Sequence, residues 1–215
     1  MKAVIFDMDG VLVDSEPIHT EVLQGILVDE GFNYSIEEVL HDGLGRSFPS
    51  QMGDLILRLG LDKPLEHYAA RFEEEILRRL SEEAAPSPGA ARLLDELKHR
   101  GHKLGLASSS SSGIVQGTLA ILGFQGCFEV VVSGDMTEAS KPSPDIFLLA
   151  AERLGVQPQE CVVVEDSPRG VEGAKRAGMF VVAVRSGPVP ESEIADADRV
   201  IGSLDQFPWQ VLGPG

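Results

Sequence analysis

Val4-Ile5-Phe6-Asp7-Met8-Asp9-Gly10-Val11 runs from a short apolar stretch straight into two carboxylates two residues apart. An apolar run with no polar alternation reads as a strand buried on both faces, the pattern of a parallel sheet. Residues two apart on an extended chain share a side, so Asp7 and Asp9 leave the sheet together. Side by side at a carboxyl edge, two carboxylates repel unless a cation or a shared proton intervenes. The segment therefore reads as a candidate site, although Asp9-Gly10 alone also fits a tight turn.

Working outward, similar apolar runs stand at Leu104–Ala107, Val130–Ser133, Val162–Val164 and Phe180–Val184, beside Ala3–Phe6. Helical spacing falls between them, over Ala90–Lys98, Ile114–Leu122, Asp145–Leu154 and Gly170–Ala177, with Gly101, Gly123, Gly155 and Gly178 as stop signals. This alternation predicts an α/β fold, a Rossmann-like doubly wound parallel sheet whose site lies outside the carboxyl ends of the strands. From Ser15 to Ala85 the pattern is helical throughout, as in Ile18, Val22, Leu23, Ile26 and Leu27, or Phe72, Ile76, Leu77 and Leu80. Ala85-Pro86-Ser87-Pro88-Gly89 then reads as a hinge. The expected organisation is an α/β core of residues 1–14 and 86–215, with a small all-helical cap, 15–85, inserted after the first strand. The acidic run Glu73–Glu75 is read as a solvated helix face without a function.

Composition bounds the partners. The 18 basic and 34 acidic residues of this 215-residue chain leave a net charge of -16, which argues against nucleic acid and anionic membranes. An anionic substrate would then need local cations. Cys127 and Cys161 follow no metal or redox spacing, and two thiols make no disulfide framework, which suits a reducing compartment. The apolar run before Asp7 is too short for a signal core, and no stretch approaches about 18 apolar residues. The expectation is a cytoplasmic monomer.

A second strand, Val162-Val163-Val164, ends in Glu165-Asp166-Ser167. Parallel strands bring such ends to one rim, so Asp7, Asp9, Glu165 and Asp166 are expected to converge. Hard oxygen donors in that number suit Mg²⁺, whereas zinc would call for His or Cys. Asp166 or Ser167 equally suits the cap of the next helix. Ser108 ends another apolar run, and Ser108–Ser112 leads into a helix whose amino terminus offers an anion site. Lys141, in Ser140-Lys141-Pro142, reads by itself as a surface cation, but in an acidic protein that handles phosphate it would supply the point charge needed near the metal.

Taken in order, Asp7-Met8-Asp9-Gly10, Ser108, Lys141-Pro142 and Glu165-Asp166 resemble the haloacid dehalogenase superfamily of phosphotransferases, over essentially the whole chain. Gly10-Val11-Leu12-Val13-Asp14-Ser15-Glu16 and Glu165-Asp166-Ser167-Pro168-Arg169-Gly170 look like its branch of β-phosphoglucomutases and sugar-phosphate phosphatases. The resemblance implies Asp7 as nucleophile forming an aspartyl phosphate, and Asp9 as acid and base. It implies Mg²⁺ held by Asp7, the Asp9 backbone carbonyl and Asp166, with Glu165 beside it. Ser108, Ser109 and Lys141 would hold the phosphate oxygens, and cap closure would exclude water. Dehalogenases of the superfamily lack a carboxylate at the place of Asp9, so carbon–halogen cleavage is disfavoured.

Within the branch, His19 matches a histidine of the mutases, and Gly43-Leu44-Gly45-Arg46-Ser47 resembles the cap loop that enters the site, making His19, Arg46 and Ser47 substrate-binding candidates. Mutases place an Arg three residues after the matching glycine to grip a second phosphate. Phe48 stands there. The resemblance therefore implies a Mg²⁺-dependent phosphatase of a small phosphorylated metabolite, such as a sugar monophosphate. The alternative is a β-phosphoglucomutase-type mutase; a silent phosphate-binding or signalling protein is more distant, since receiver domains order these residues differently and lack the cap.

Overall fold

A computed structural model describes residues 1–43, 47–186 and 189–213. Six strands form one parallel sheet: β1 (Ala3–Phe6), β2 (Lys103–Ala107), β3 (Val130–Val132), β4 (Cys161–Glu165), β5 (Phe180–Val184) and β6 (Arg199–Ile201), in the order β3-β2-β1-β4-β5-β6. Five are the expected ones, within a residue or two at their ends. The sixth, β6, was not legible: it has three residues, begins on exposed Arg199 and lies at the sheet edge, so it carries almost no apolar pattern.

Strand order reverses between β1 and β4, which lie side by side with Phe6 opposite Val164. That switch point is where an open α/β sheet leaves a crevice beyond its carboxyl ends, and both acidic pairs emerge there. Alternation places Val4, Phe6, Val162 and Val164 in one buried layer and Ala3, Ile5, Cys161 and Val163 in the other. The second layer is covered by α7 (Asp145–Leu154) and α8 (Pro168–Arg176), the first by α5 (Ala90–His99) and α6 (Ser112–Ile121). Both faces of the sheet are thus buried, the physical reason the central strands read as unbroken apolar runs.

Four helices follow β1: α1 (Glu16–Asp29), α2 (Ile36–Gly43), α3 (Phe48–Leu59) and α4 (Leu65–Glu83). They form the helical cap inserted after the first strand. The chain leaves and re-enters the core at one place, where Val13 bridges Pro86 and the Ser87 amide donates to the Leu12 carbonyl at 2.8 Å. Ile18, Val22, Ile26, Phe72, Ile76 and Leu80 of α1 and α4 are buried in the same apolar layer as Met8, Val11 and Leu12 below the hinge. Cap and core therefore share a hydrophobic seam. Among the described residues, no helix is long and apolar enough to cross a membrane.

Candidate active site

Asp7 directly follows β1 and is buried beside Lys141, whose Nζ lies 2.5 Å from Asp7 Oδ1 and 2.6 Å from Glu165 Oε1 and also donates to the Ala107 carbonyl at 3.1 Å. The lysine is itself positioned by Arg169, which donates from Nε and Nη2 to the Lys141 carbonyl. Glu165 has its second oxygen occupied: Oε2 accepts from the Asp166 and Ser167 amides, each at 2.9 Å, and from the Ser167 hydroxyl. Ser167 caps α8, its hydroxyl accepting from the Gly170 amide at 3.0 Å. A side chain at Gly170 would collide with the Glu165 carboxylate, so the small residue lets the helix start directly against the acid.

Asp166 lies on the other side of the crevice and accepts from the Ser186 hydroxyl. Gly10 faces it with φ of +75°, and a Cβ at Gly10 would overlap Oδ2 of Asp166. Only glycine both turns the chain there and lets the β1 loop close on the β4 loop. Asp7, Glu165 and Asp166 each present a carboxylate oxygen within 4.8 Å of the others, all three buried. Burial foremost, then Glu165, Asp166 and Asp9, raises the Asp7 carboxyl well above its ordinary range against the pull of Lys141. Burial and the Glu165 charge push Asp166 up to about 8, against the Ser186 hydrogen bond. Burial opposes protonation of Lys141, but the carboxylates of Asp7 and Glu165 outweigh it and hold the ammonium charged.

With one lysine among three buried acids, protons or a cation must offset the repulsion that raises Asp7 and Asp166, and the donors are all hard oxygens. They fit a divalent cation such as Mg²⁺. Because Glu165 is committed on both oxygens, Asp7 and Asp166 are the carboxylates best placed to hold it. Asp9 contributes no side-chain oxygen to the cluster. Its carboxylate turns away, with Oδ1 accepting from the Ser15 hydroxyl at 2.6 Å and Oδ2 from the Ser110 hydroxyl at 2.9 Å. Ser108, fully buried, stands 3.4 Å from the same Oδ2 and accepts from the Ser110 amide.

A cavity of about 930 Å³ lies between cap and core, and the buried Ser15, Ser108 and Glu165 stand behind its wall. Asp7, Asp9, Lys141, Asp166, Ser109 and Ser110 line it from the core side, and His19, Ser47, Phe48, Phe72 and Glu73 from the cap side. His19 Nε2 is 3.7 Å from Asp9 Oδ1 and its ring meets Phe72 edge-on. Phe48 stacks on Phe72 with ring centroids 4.0 Å apart. Arg46 lies outside the described residues.

Several participants were not foreseen. Ser15, Ser110 and Ser186 reach the acids only through the folding of three separate loops, and the serine run offered no means of choosing Ser110 over its neighbours. The acidic run at residues 73–75 was misread as wholly solvated. Glu74 is exposed and Glu75 pairs with Arg78 on the surface, but Glu73 lines the cavity and accepts from the Ser111 hydroxyl at 2.7 Å. The reason is that α4 docks on α6, turning one of the three acids inward.

The raised carboxyls have a consequence for the metal-free protein. Asp166 titrates near 8 when folded against an ordinary value of 3.8, so the native state holds a proton that the unfolded chain releases between those values. Stability contributed by this site therefore falls as pH rises through that window. Metal-free Asp166→Asn should melt above the wild type at pH 8, with the gap closing toward pH 4; equal melting temperatures at both pH values would refute the assignment.

Comparison with known proteins agrees with this architecture. The family described as haloacid dehalogenase-like hydrolase matches residues 1–178. A phosphorylated carbohydrates phosphatase of Thermotoga maritima is 40% identical over 181 residues, spanning 83% of this chain and 82% of that protein. The beta-phosphoglucomutase of Bacillus subtilis is 34% identical over 223 residues, spanning 99% and 94%. A crystal structure of a CbbY variant from Rhodobacter sphaeroides, in complex with xylulose-(1,5)bisphosphate, superposes with a TM-score of 0.88 at 27% identity, over 97% of this chain and 96% of that one. With its motifs in order around one cavity and its likeness sustained over most of its length, the chain belongs to the haloacid dehalogenase-like hydrolases.

Proposed function

We propose that the chain is a Mg²⁺-dependent phosphatase of a small sugar monophosphate, working through an aspartyl phosphate on Asp7. The observation that carries this reading is the pairing on one cavity floor of a lysine-gripped carboxylate, Asp7, with a second carboxylate, Asp9, held apart from it by two hydroxyls.

In this reading an Asp7 oxygen attacks phosphorus while Asp9 gives a proton to the departing sugar oxygen. The P–O bond to the sugar breaks as the bond to Asp7 forms. Asp9 then takes a proton from water, whose oxygen attacks the acyl phosphate and returns Asp7 as a carboxylate. Lys141, Ser109 and Ser108 hold the non-bridging oxygens; Ser108 does so once its hydroxyl leaves Asp9. Glu165 keeps Lys141 in place. Mg²⁺ held by Asp7, Asp166 and the Asp9 carbonyl would neutralise charge between nucleophile and phosphate. The helical cap, residues 15–85, closes over the cavity and keeps bulk water from the acyl phosphate.

Two observations favour a phosphatase over a mutase. Phe48 occupies the place at which the mutases carry a phosphate-gripping Arg, and its ring is committed to stacking on Phe72. The Thermotoga relative at 40% identity is named a phosphatase of phosphorylated carbohydrates, which supports both the reaction and the substrate class. Turnover of a phosphosugar panel tests the reading. It should include β-glucose 1-phosphate with and without catalytic glucose 1,6-bisphosphate, following both inorganic phosphate and glucose 6-phosphate. We expect phosphate release that EDTA abolishes and Mg²⁺ restores. Glucose 6-phosphate outrunning phosphate would establish the mutase instead, and full activity after exhaustive chelation would remove the metal from the scheme.

A further inference from the structure

Glu73 is a cap residue that the core holds. Its Oε2 accepts from Ser111, which also caps α6 by accepting from the Ile114 amide, and its Oε1 rests over Gly113, where any side chain would collide with the carboxylate. One turn further along both helices, Leu77 packs over Gly117 in the same way. Two glycines four apart on α6 thus let α4 settle close, and the carboxylate is seated next to the serine loop that faces the transferred phosphate. It lines the cavity half-buried.

Further carboxylates line the same cavity. Glu16 lines the cap side of the same cavity, and Asp135 and Glu138 line its rim. Among the described residues, the Lys and Arg side chains lining the cavity are Lys141 and Arg169, both on the core side at the phosphate end. Among the described residues, the compartment left for the leaving group therefore offers hydroxyls, aromatic faces, carboxylates and the His19 imidazole. A second phosphate placed there would meet like charge with no described lysine or arginine opposite it.

We infer that Glu73 is a specificity-determining residue: its carboxylate, fixed between cap and core by Ser111 and Gly113, rejects substrates whose leaving group carries a second anion and admits neutral, hydroxylated ones. This inference rests on the phosphatase reading above and refines its substrate class.

The test compares kcat/KM for glucose 1-phosphate and glucose 1,6-bisphosphate, at saturating Mg²⁺ and fixed ionic strength, in wild type, Glu73→Gln, Glu73→Lys and Glu74→Gln. Removing the charge should raise the bisphosphate-to-monophosphate ratio by about tenfold, mainly through KM, and reversing it should raise the ratio further. Glu74→Gln makes the same charge change one residue away on an exposed position and should keep the wild-type ratio. Added salt should lift the ratio more in the wild type than in Glu73→Gln, which keeps the carboxylates of Glu16, Asp135 and Glu138 but has lost that of Glu73. An unchanged ratio in both Glu73 variants, or an equal rise in Glu74→Gln, would overturn the inference. Failure of the wild type to release phosphate from any monophosphate would instead overturn the reading on which it rests.

Discussion

Asp7→Asn is expected to lower phosphate release by at least about 10⁴-fold while leaving a folded protein, since removing a nucleophile removes the reaction path rather than one stabilising contact. The carboxamide is nearly isosteric with the carboxylate but is a poor nucleophile. Folding should survive because Lys141 keeps Glu165 at 2.6 Å and the Ala107 carbonyl at 3.1 Å. The substitution also relieves repulsion that holds the Asp7 carboxyl above its usual range. Phosphate release measured beside a thermal melt checks both halves. Undiminished turnover would place the nucleophile elsewhere, whereas lost turnover with a collapsed melting temperature would show that Asp7 is structural.

Lys141→Met should be damaging in a different way, losing stability as well as activity. Among the described residues, its ammonium is the one basic side chain paired with both Asp7 and Glu165, and all three groups are buried. Removing one member of a buried ionic cluster strands the others without compensation, at a cost of about 3–5 kcal/mol. Methionine fills much of the volume but offers no donor. Turnover should fall by about 10²–10³-fold even at saturating Mg²⁺, from loss of a preorganised charge at the phosphate. The Lys141→Met, Glu165→Gln double variant should regain part of the lost melting temperature, because the second substitution removes a stranded charge, and should regain little activity. If it melts no higher than Lys141→Met, the ionic account of this cluster is wrong.

Much of the site was legible because it is carried by strand ends. Asp7, Asp9, Ser108, Glu165 and Asp166 each follow an apolar run, and parallel strands deliver their carboxyl ends to one rim whatever the loops do. Lys141 was legible by its order among those motifs. The groups that orient the acids were not. Ser15 and Ser110 lie 95 residues apart in sequence and meet on the two oxygens of Asp9; local patterning holds no trace of such a meeting. Glu165 reads as a metal ligand by spacing and lies in the acidic cluster, and only the structure shows its oxygens also bonded, one to Lys141 and one to the start of α8.

Glu73 marks the division most plainly. By itself the sequence determined five of the six strands, the inserted helical cap, the rim on which the acids gather and the family to which the chain belongs, because these depend on hydrophobic periodicity and on residue order along the chain. The tertiary structure alone decided which hydroxyls hold Asp9, which carboxylate is spent on Lys141 and which acid of Glu73–Glu75 faces the cavity. Those outcomes depend on how α4 seats against α6 and how loops from distant strands pack. They are set by contacts between residues far apart in sequence, and only folding brings them within hydrogen-bonding reach.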